Sequence, residues 1–223
     1  MLMFTTYTSF GERVKTGYHH GSLAAALIEA GLELTRAGGP DALTIRAATR
    51  LAGVSPNAAY RHFADRDALL AAVSLAIQDR MVAQMGSARP AAAPTGRELL
   101  RAVGLGYIRF ALAEPGWFTV AFFAAPSETA RAAPFLALQQ ALDAMVAGGE
   151  LSRDRRTDAE WPCWSAVHGF AGLALQGPLR GADPATLERL AERAVDDIIA
   201  GATRSAGSPS DPSSPRPSSS PGR

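Results

Sequence analysis

"VSPNAAYRHFADRDALL", residues 54–70, decides how the chain folds. Ser55-Pro56 places a capping hydroxyl ahead of a proline suited to the first helical position. Asp65 supplies a second cap, for a longer helix that runs to about Met85. Between the caps, Ala59 and Phe63 are i, i+4 partners that face inward. Asn57, Ala58, Tyr60, Arg61 and His62 are left outside. Just upstream, Thr44 starts another short helix whose inward set reads Ile45, Ala48, Leu51 and Ala52, with Arg46, Thr49 and Arg50 outside. Gly53 ends it, because glycine enters the left-handed region without a Cβ penalty. Val54 is expected to be the buried residue of the turn. Two short helices joined by about three residues containing glycine spell a helix-turn-helix, whose second helix normally enters a major groove.

The outward residues fit that role. Tyr60 and His62 each donate a hydrogen bond to a phosphate oxygen while bringing an apolar ring close. Arg61 and Arg66 add charge-assisted contacts. The small Ala58 lets the backbone approach the bases, Asn57 suits adenine and Arg46 suits guanine. The competing reading makes Tyr60 partly core and the charges a solvated face. Charge distribution favours the anionic partner. The chain carries only +1 overall, but residues 44–66 hold Arg46, Arg50, Arg61 and Arg66 against Asp65 alone. Residues 67–203 are mildly acidic, with 12 Arg and 15 Asp or Glu.

A first helix completes the unit. From Ser22, its expected cap, Leu23, Leu27, Ala30 and Leu34 recur at helical spacing, and Gly38-Gly39-Pro40 stops it. At this point "YHHGSLAAALIEAGLELTRAGGPDALTIRAATRLAGVSPNAAYRHFADRDALLAAV", residues 18–73, resembles the three-helix DNA-binding domain of tetracycline-repressor-type (TetR-type) regulators. The resemblance implies phosphate contacts from Thr44, Tyr60, His62 and Arg66, with Ser55 nearby. It also implies base contacts around Arg46, Asn57 and Ala58. Most such proteins carry Lys where Arg66 stands, which keeps the charge. "WSAVHG", residues 164–169, resembles the Trp-His-Gly signature of one C-terminal subgroup.

Beyond residue 66 the pattern stays helical. Thr95 and Glu98 form a capping box that starts a helix to Glu114, and Pro115-Gly116 breaks it. Further helices are expected over 117–124, 128–147, 159–176 and 184–203. No strand pattern emerges, so the fold is expected to be all-α. A three-helix DNA-binding domain (18–66) would precede a helical ligand-binding and dimerisation domain (67–203). Residues 1–17 read as a flexible arm and the Ser/Pro-rich residues 204–223 as a disordered tail.

Aromatic residues crowd the second half. Phe110, Trp117, Phe118, Phe122, Trp164 and His168 are the candidate pocket for a small hydrophobic or aromatic effector. A plain packed core and a core histidine bonded to a carbonyl are the alternatives. Helix 184–203 carries the stripe Leu187, Leu190, Ala191, Ala194, Ile198 and Ala202. Helix 159–176 is apolar nearly all round after Trp161. Each needs cover, and a second copy of the chain is the natural partner.

Enzymatic motifs are missing from the sequence. Gly104-Leu-Gly106 lacks its third glycine, and no phosphate loop, nucleophile elbow or His-Glu-x-x-His is present. Cys163 and His168 are five apart and do not share a helix face. No cofactor and no metal are expected. One cysteine excludes an internal disulfide, and the longest apolar run, Trp117 to Ala125, is too short to span a membrane. The expectation is therefore a cytoplasmic, homodimeric transcriptional regulator, most simply a ligand-responsive repressor on a palindromic operator. The alternatives are a DNA-binding protein whose C-terminal domain only dimerises or binds a partner, or an enzyme with an appended DNA-binding domain.

Overall fold

The computed structural model of the chain describes residues 20–87, 94–124 and 132–204. The expected arm 1–17 and, apart from Arg204, the Ser/Pro tail lie outside the described residues. So do most of the expected connector 86–94 and the start of the helix expected at 128. Every described element is helical, with no strand among the described residues. The fold is all-α.

The chain divides into two compact units. One is drawn from the described residues up to Gln78 together with 114–124; the other takes 79–113 and 132–204. The first unit therefore runs twelve residues past Arg66 along a helix, and an interior segment joins it.

In the first unit α1 (His20–Gly38) is followed by a 3-10 turn, Pro40–Ala42. Ser22 lies within α1, so the helix begins before the expected cap. Gly39 takes φ +61° at its end, as the Gly-Gly-Pro stop requires. Thr44 caps α2 (Ile45–Leu51), its Oγ1 accepting the Ala47 N–H at 3.0 Å. Ser55 caps α3 (Pro56–Ala59), accepting from Ala58 N at 3.4 Å. Asp65 accepts from Ala68 N at 2.8 Å at the head of α4 (Arg66–Ser87).

The core of this unit joins Leu27 and Leu32 of α1 with Leu43, Ala48, Ala59, Leu69, Val73 and Ile77. The inward face of α2 is rotated from the expected one. Thr49 is 2% exposed and Leu51 is 45% exposed. Positions 45, 48 and 49 form the i, i+3, i+4 row, and Thr49 donates its hydroxyl to the Arg46 carbonyl, so its burial leaves no orphan donor. Val54, expected to be buried in the turn, is only partly covered.

Residues 114–124 belong here for visible reasons. They form α6 (Pro115–Thr119) and a π-helical segment, Val120–Ala124. The Trp117 indole N–H donates to Leu32 O at 2.8 Å, and the Arg36 guanidinium lies 5.2 Å from the Trp117 ring. Arg36 Nε donates to the buried Glu114 carboxylate at 2.8 Å. The buried Ser74 and Gln78 side chains both donate to Ala121 O. Gly116 touches the Thr35 and Arg36 carbonyls so closely that a Cβ there would overlap them.

The second unit is organised around α5 (Gly96–Ala113), which packs against α7 (Ala133–Ala147), α9 (Glu160–Leu175) and α10 (Pro184–Thr203). A short α8 (Arg153–Arg156) links α7 to α9. The Thr95–Glu98 capping box forms, with Thr95 N donating to Glu98 Oε2 at 2.8 Å and Glu98 N to Thr95 Oγ1 at 3.2 Å. Glu150 adds a second carboxylate at the same helix start, accepting from Gly96 N and Arg97 N at 2.9 Å each. Both anions sit at the positive end of the α5 dipole. Arg101 and Arg109 of α5 pair with Asp196 and Glu188 of α10, and the Arg109 pairing holds the Glu188 carboxyl below its ordinary value.

Candidate nucleic-acid interface and effector cavity

The two caps leave one outward surface. Arg46, Asn57, Tyr60 and Arg61 are exposed, Tyr60 to 54%; Ala58 and His62 are partly covered. Ala59 and Phe63 are buried as the spacing predicts. The hydroxyls of Thr44 and Ser55 each accept one backbone N–H, which leaves the hydroxyl hydrogen to donate outward. Eight of the nine residues expected at a DNA surface thus lie on or beside α2 and α3, exposed or partly so. The α-helical backbone runs from Pro56 to Ala59 and is continued by turns at Tyr60–His62.

Arg66 is the ninth; it is partly covered and meets backbone carbonyls. Its Nε donates to Leu43 O at 2.8 Å and its Nη2 to Pro40 O at 2.7 Å. Nη1 reaches Asp67 at 3.2 Å. Three of the five guanidinium N–H groups are engaged within the protein. The carbonyls of the 3-10 turn give this side chain closer partners, which charge alone does not reveal.

The six residues expected to form one pocket are drawn from both units. Trp117, Phe118 and Phe122 belong to the first unit, where Phe118 is fully buried and packs on Phe122 at 4.9 Å between ring centroids. Phe110 is buried on α5 in the second unit. Trp164 and His168 stack at 5.9 Å, and His168 Nδ1 lies 2.8 Å from Tyr107 Oη. Burial pushes the Tyr107 phenol up and the His168 imidazole down, so both are neutral near pH 7. Burial, with some help from Glu160, raises the Cys163 thiol to about 11, which leaves it protonated and unreactive.

Two of the voids in the second unit lie between its long helices. One, lined by Tyr107, Leu138, Cys163, Trp164 and Val195 among others, holds about 20 Å³, room for a single water. The other holds about 300 Å³. Val82, Met85 and Gly86 of α4, Leu99, Ala102 and Val103 of α5, and Ala137, Gln140 and Ala141 of α7 line it. None of the six expected residues does. Small residues on facing helices, Gly86, Ala102, Ala137 and Ala141, border this space. No cluster of potential metal ligands occurs among the described residues.

A capped helix-turn-helix with an outward Arg, Asn and Tyr surface, followed by an all-helical unit, defines a DNA-binding transcriptional regulator. Residues 27–73 match the family model for bacterial regulatory proteins of the tetR family, and residues 100–198 match that for the tetracyclin repressor-like C-terminal domain. The chain belongs to the TetR family of regulators. Among solved structures, a protein of unknown function from Rhodococcus sp. RHA1 is 27% identical, with 85% of this chain and 100% of that one covered, at a TM-score of 0.68. A TetR variant from Acinetobacter baumannii AYE in complex with minocycline is 21% identical, with 79% and 94% covered, at 0.59. A TetR transcriptional regulator from Streptomyces coelicolor is 22% identical, with 80% and 92% covered, at 0.55. No curated protein gives a significant match.

Proposed function

We propose that the protein is an effector-responsive repressor that binds a palindromic operator as a homodimer. The exposure of Arg46, Asn57, Tyr60 and Arg61 around two capped helices carries the DNA half of this reading. A single copy of that surface reads one half-site; two copies about 34 Å apart read successive major grooves. The outer faces of α9 and α10 support the dimer. Trp161 and Leu173 are about half exposed, Gly169 and Gly172 have open space beside them, and Leu187, Leu190 and Ile198 are only partly covered. Two helices from each copy would make an isologous four-helix interface.

The cavity of about 300 Å³ supports the effector. Its lining is aliphatic apart from the Gln140 amide, so it suits an uncharged apolar molecule with one hydrogen-bonding group. The minocycline complex of the Acinetobacter neighbour is a precedent for small-molecule binding on this fold. An effector releases the operator when it binds the non-operator spacing more tightly than the operator spacing. The test is operator release, followed by fluorescence anisotropy during titration with uncharged apolar compounds. Release of the native protein is expected, with loss of response in Ala137→Phe, which fills the cavity and keeps operator affinity. Release that persists unchanged in Ala137→Phe would place the effector elsewhere.

A further inference from the structure

We infer that Arg66 is a positioning residue for DNA binding, which sets the start of α2, and does not act as a phosphate contact. The inference rests on DNA binding by α2 and α3. Arg66 opens α4, and its guanidinium presents one edge, Nε with Nη2, to two carbonyls of the α1–α2 connection, Leu43 O and Pro40 O. These lie 23 and 26 residues earlier in the chain. Pro40 O also receives the Leu43 N–H at 3.2 Å, so the same turn is closed from within and clamped from outside. The residue after Leu43 is Thr44, whose hydroxyl caps α2. Two residues further on is Arg46, the candidate base reader. A fork that fixes Pro40 and Leu43 therefore fixes where Thr44 and Arg46 stand.

The guanidinium is poorly placed for a phosphate. One of the planar edges that can grip an oxyanion in bidentate fashion, Nε with Nη2, is taken by the carbonyls. The remaining side is flanked by the Asp67 carboxylate, which lies 3.2 Å from Nη1 and repels an approaching anion. An ammonium at this position keeps the charge but cannot span both carbonyls with fork geometry.

The experiment compares wild type, Arg66→Lys and Arg66→Ala on one operator duplex over a range of salt concentrations. Positioning predicts that both variants weaken binding by roughly tenfold or more, with a log–log salt slope equal to that of wild type. A phosphate contact predicts that Lys retains affinity and that Ala shallows the slope by about 0.9; that result would overturn the inference. A double-mutant cycle with Thr44→Ala separates positioning from general loss of stability. Positioning predicts that Thr44→Ala weakens wild type several-fold and has little further effect in Arg66→Lys, whereas multiplicative losses would overturn it. Hydrogen exchange at the Leu43 amide reads the clamp without DNA. Several-fold faster exchange in Arg66→Lys is expected, and unchanged exchange contradicts it. If wild type binds no duplex, the DNA-binding reading itself fails, an outcome distinct from any of these.

Discussion

Tyr107 Oη and His168 Nδ1 lie 2.8 Å apart, and this bond ties α5 to α9 in the second unit. Which group donates depends on the imidazole tautomer, and burial favours the neutral form of both. Trp164 stacks against the same imidazole and meets Tyr107 edge-on at 5.1 Å, so the pair is fixed by packing as well as by the bond.

That relationship predicts a pH dependence. The folded-state value of His168 lies below the ordinary 6.5. Above that value both folded and unfolded chains carry it neutral and it contributes nothing. As pH falls below it, the unfolded chain takes up a proton that the folded chain resists, so stability declines. Thermal midpoints measured from about pH 7.5 to 5 should fall less steeply in His168→Asn than in wild type. Equal slopes would show that His168 titrates alike in both states. Tyr107→Phe, which removes the bond and keeps the ring, should cost about 1 kcal/mol.

Gly116→Ala should destabilise the first unit by about 1–3 kcal/mol. The added methyl would overlap the backbone carbonyls of Thr35 and Arg36, which are held in α1 and do not give way as a flexible side chain would. Urea unfolding followed by the fluorescence of the adjacent Trp117 checks this. A midpoint equal to that of wild type would mean that α6 does not pack on α1 in solution.

Arg46→Ala should relax sequence preference at one base position per half-site, at a cost of about 1–3 kcal/mol. Tyr60→Phe should weaken binding to every sequence about equally, because it removes a hydroxyl suited to phosphate. Affinities on a panel of single-base operator variants separate the two. Unaltered preference in Arg46→Ala would remove it as a base reader.

Leu190→Arg should yield monomers of about the 23.3 kDa chain mass that retain helical content and lose tight operator binding. Leu190 lies on the partly covered side of α10, away from the fully buried row Ala191, Val195 and Ile199. A charge there would sit in the proposed interface without disturbing the chain's own core. Sedimentation checks the mass, and a variant that stays dimeric would move the interface elsewhere.

The helix-turn-helix was legible because its signals are local. Thr44, Ser55 and Asp65 each bond an N–H three residues ahead, as their spacing predicts. The capping box at Thr95 and the Asp183 cap of α10 are local too. What sequence reading misplaced depends on distant partners. The side of α2 that faces inward was decided by packing, which chose Thr49 over Leu51. Residues 114–124 join α1 through Trp117, Glu114 and Gly116, contacts that span about eighty positions of sequence. The cavity is bordered by small side chains on three helices that come together only in the fold. Arg66 reads as a charge in sequence, and the two carbonyls it bonds in the fold lie 23 and 26 positions earlier.

The most direct test of the central claim is selection of duplexes from a random pool by the purified protein, followed by native mass measurement of the selected complex. The account predicts enrichment of an inverted repeat whose half-site centres are about one helical turn apart, or a multiple of it, bound by at least two chains, with affinity falling steeply as salt rises. No enriched sequence, or a single chain bound tightly to an unrepeated site, would contradict it.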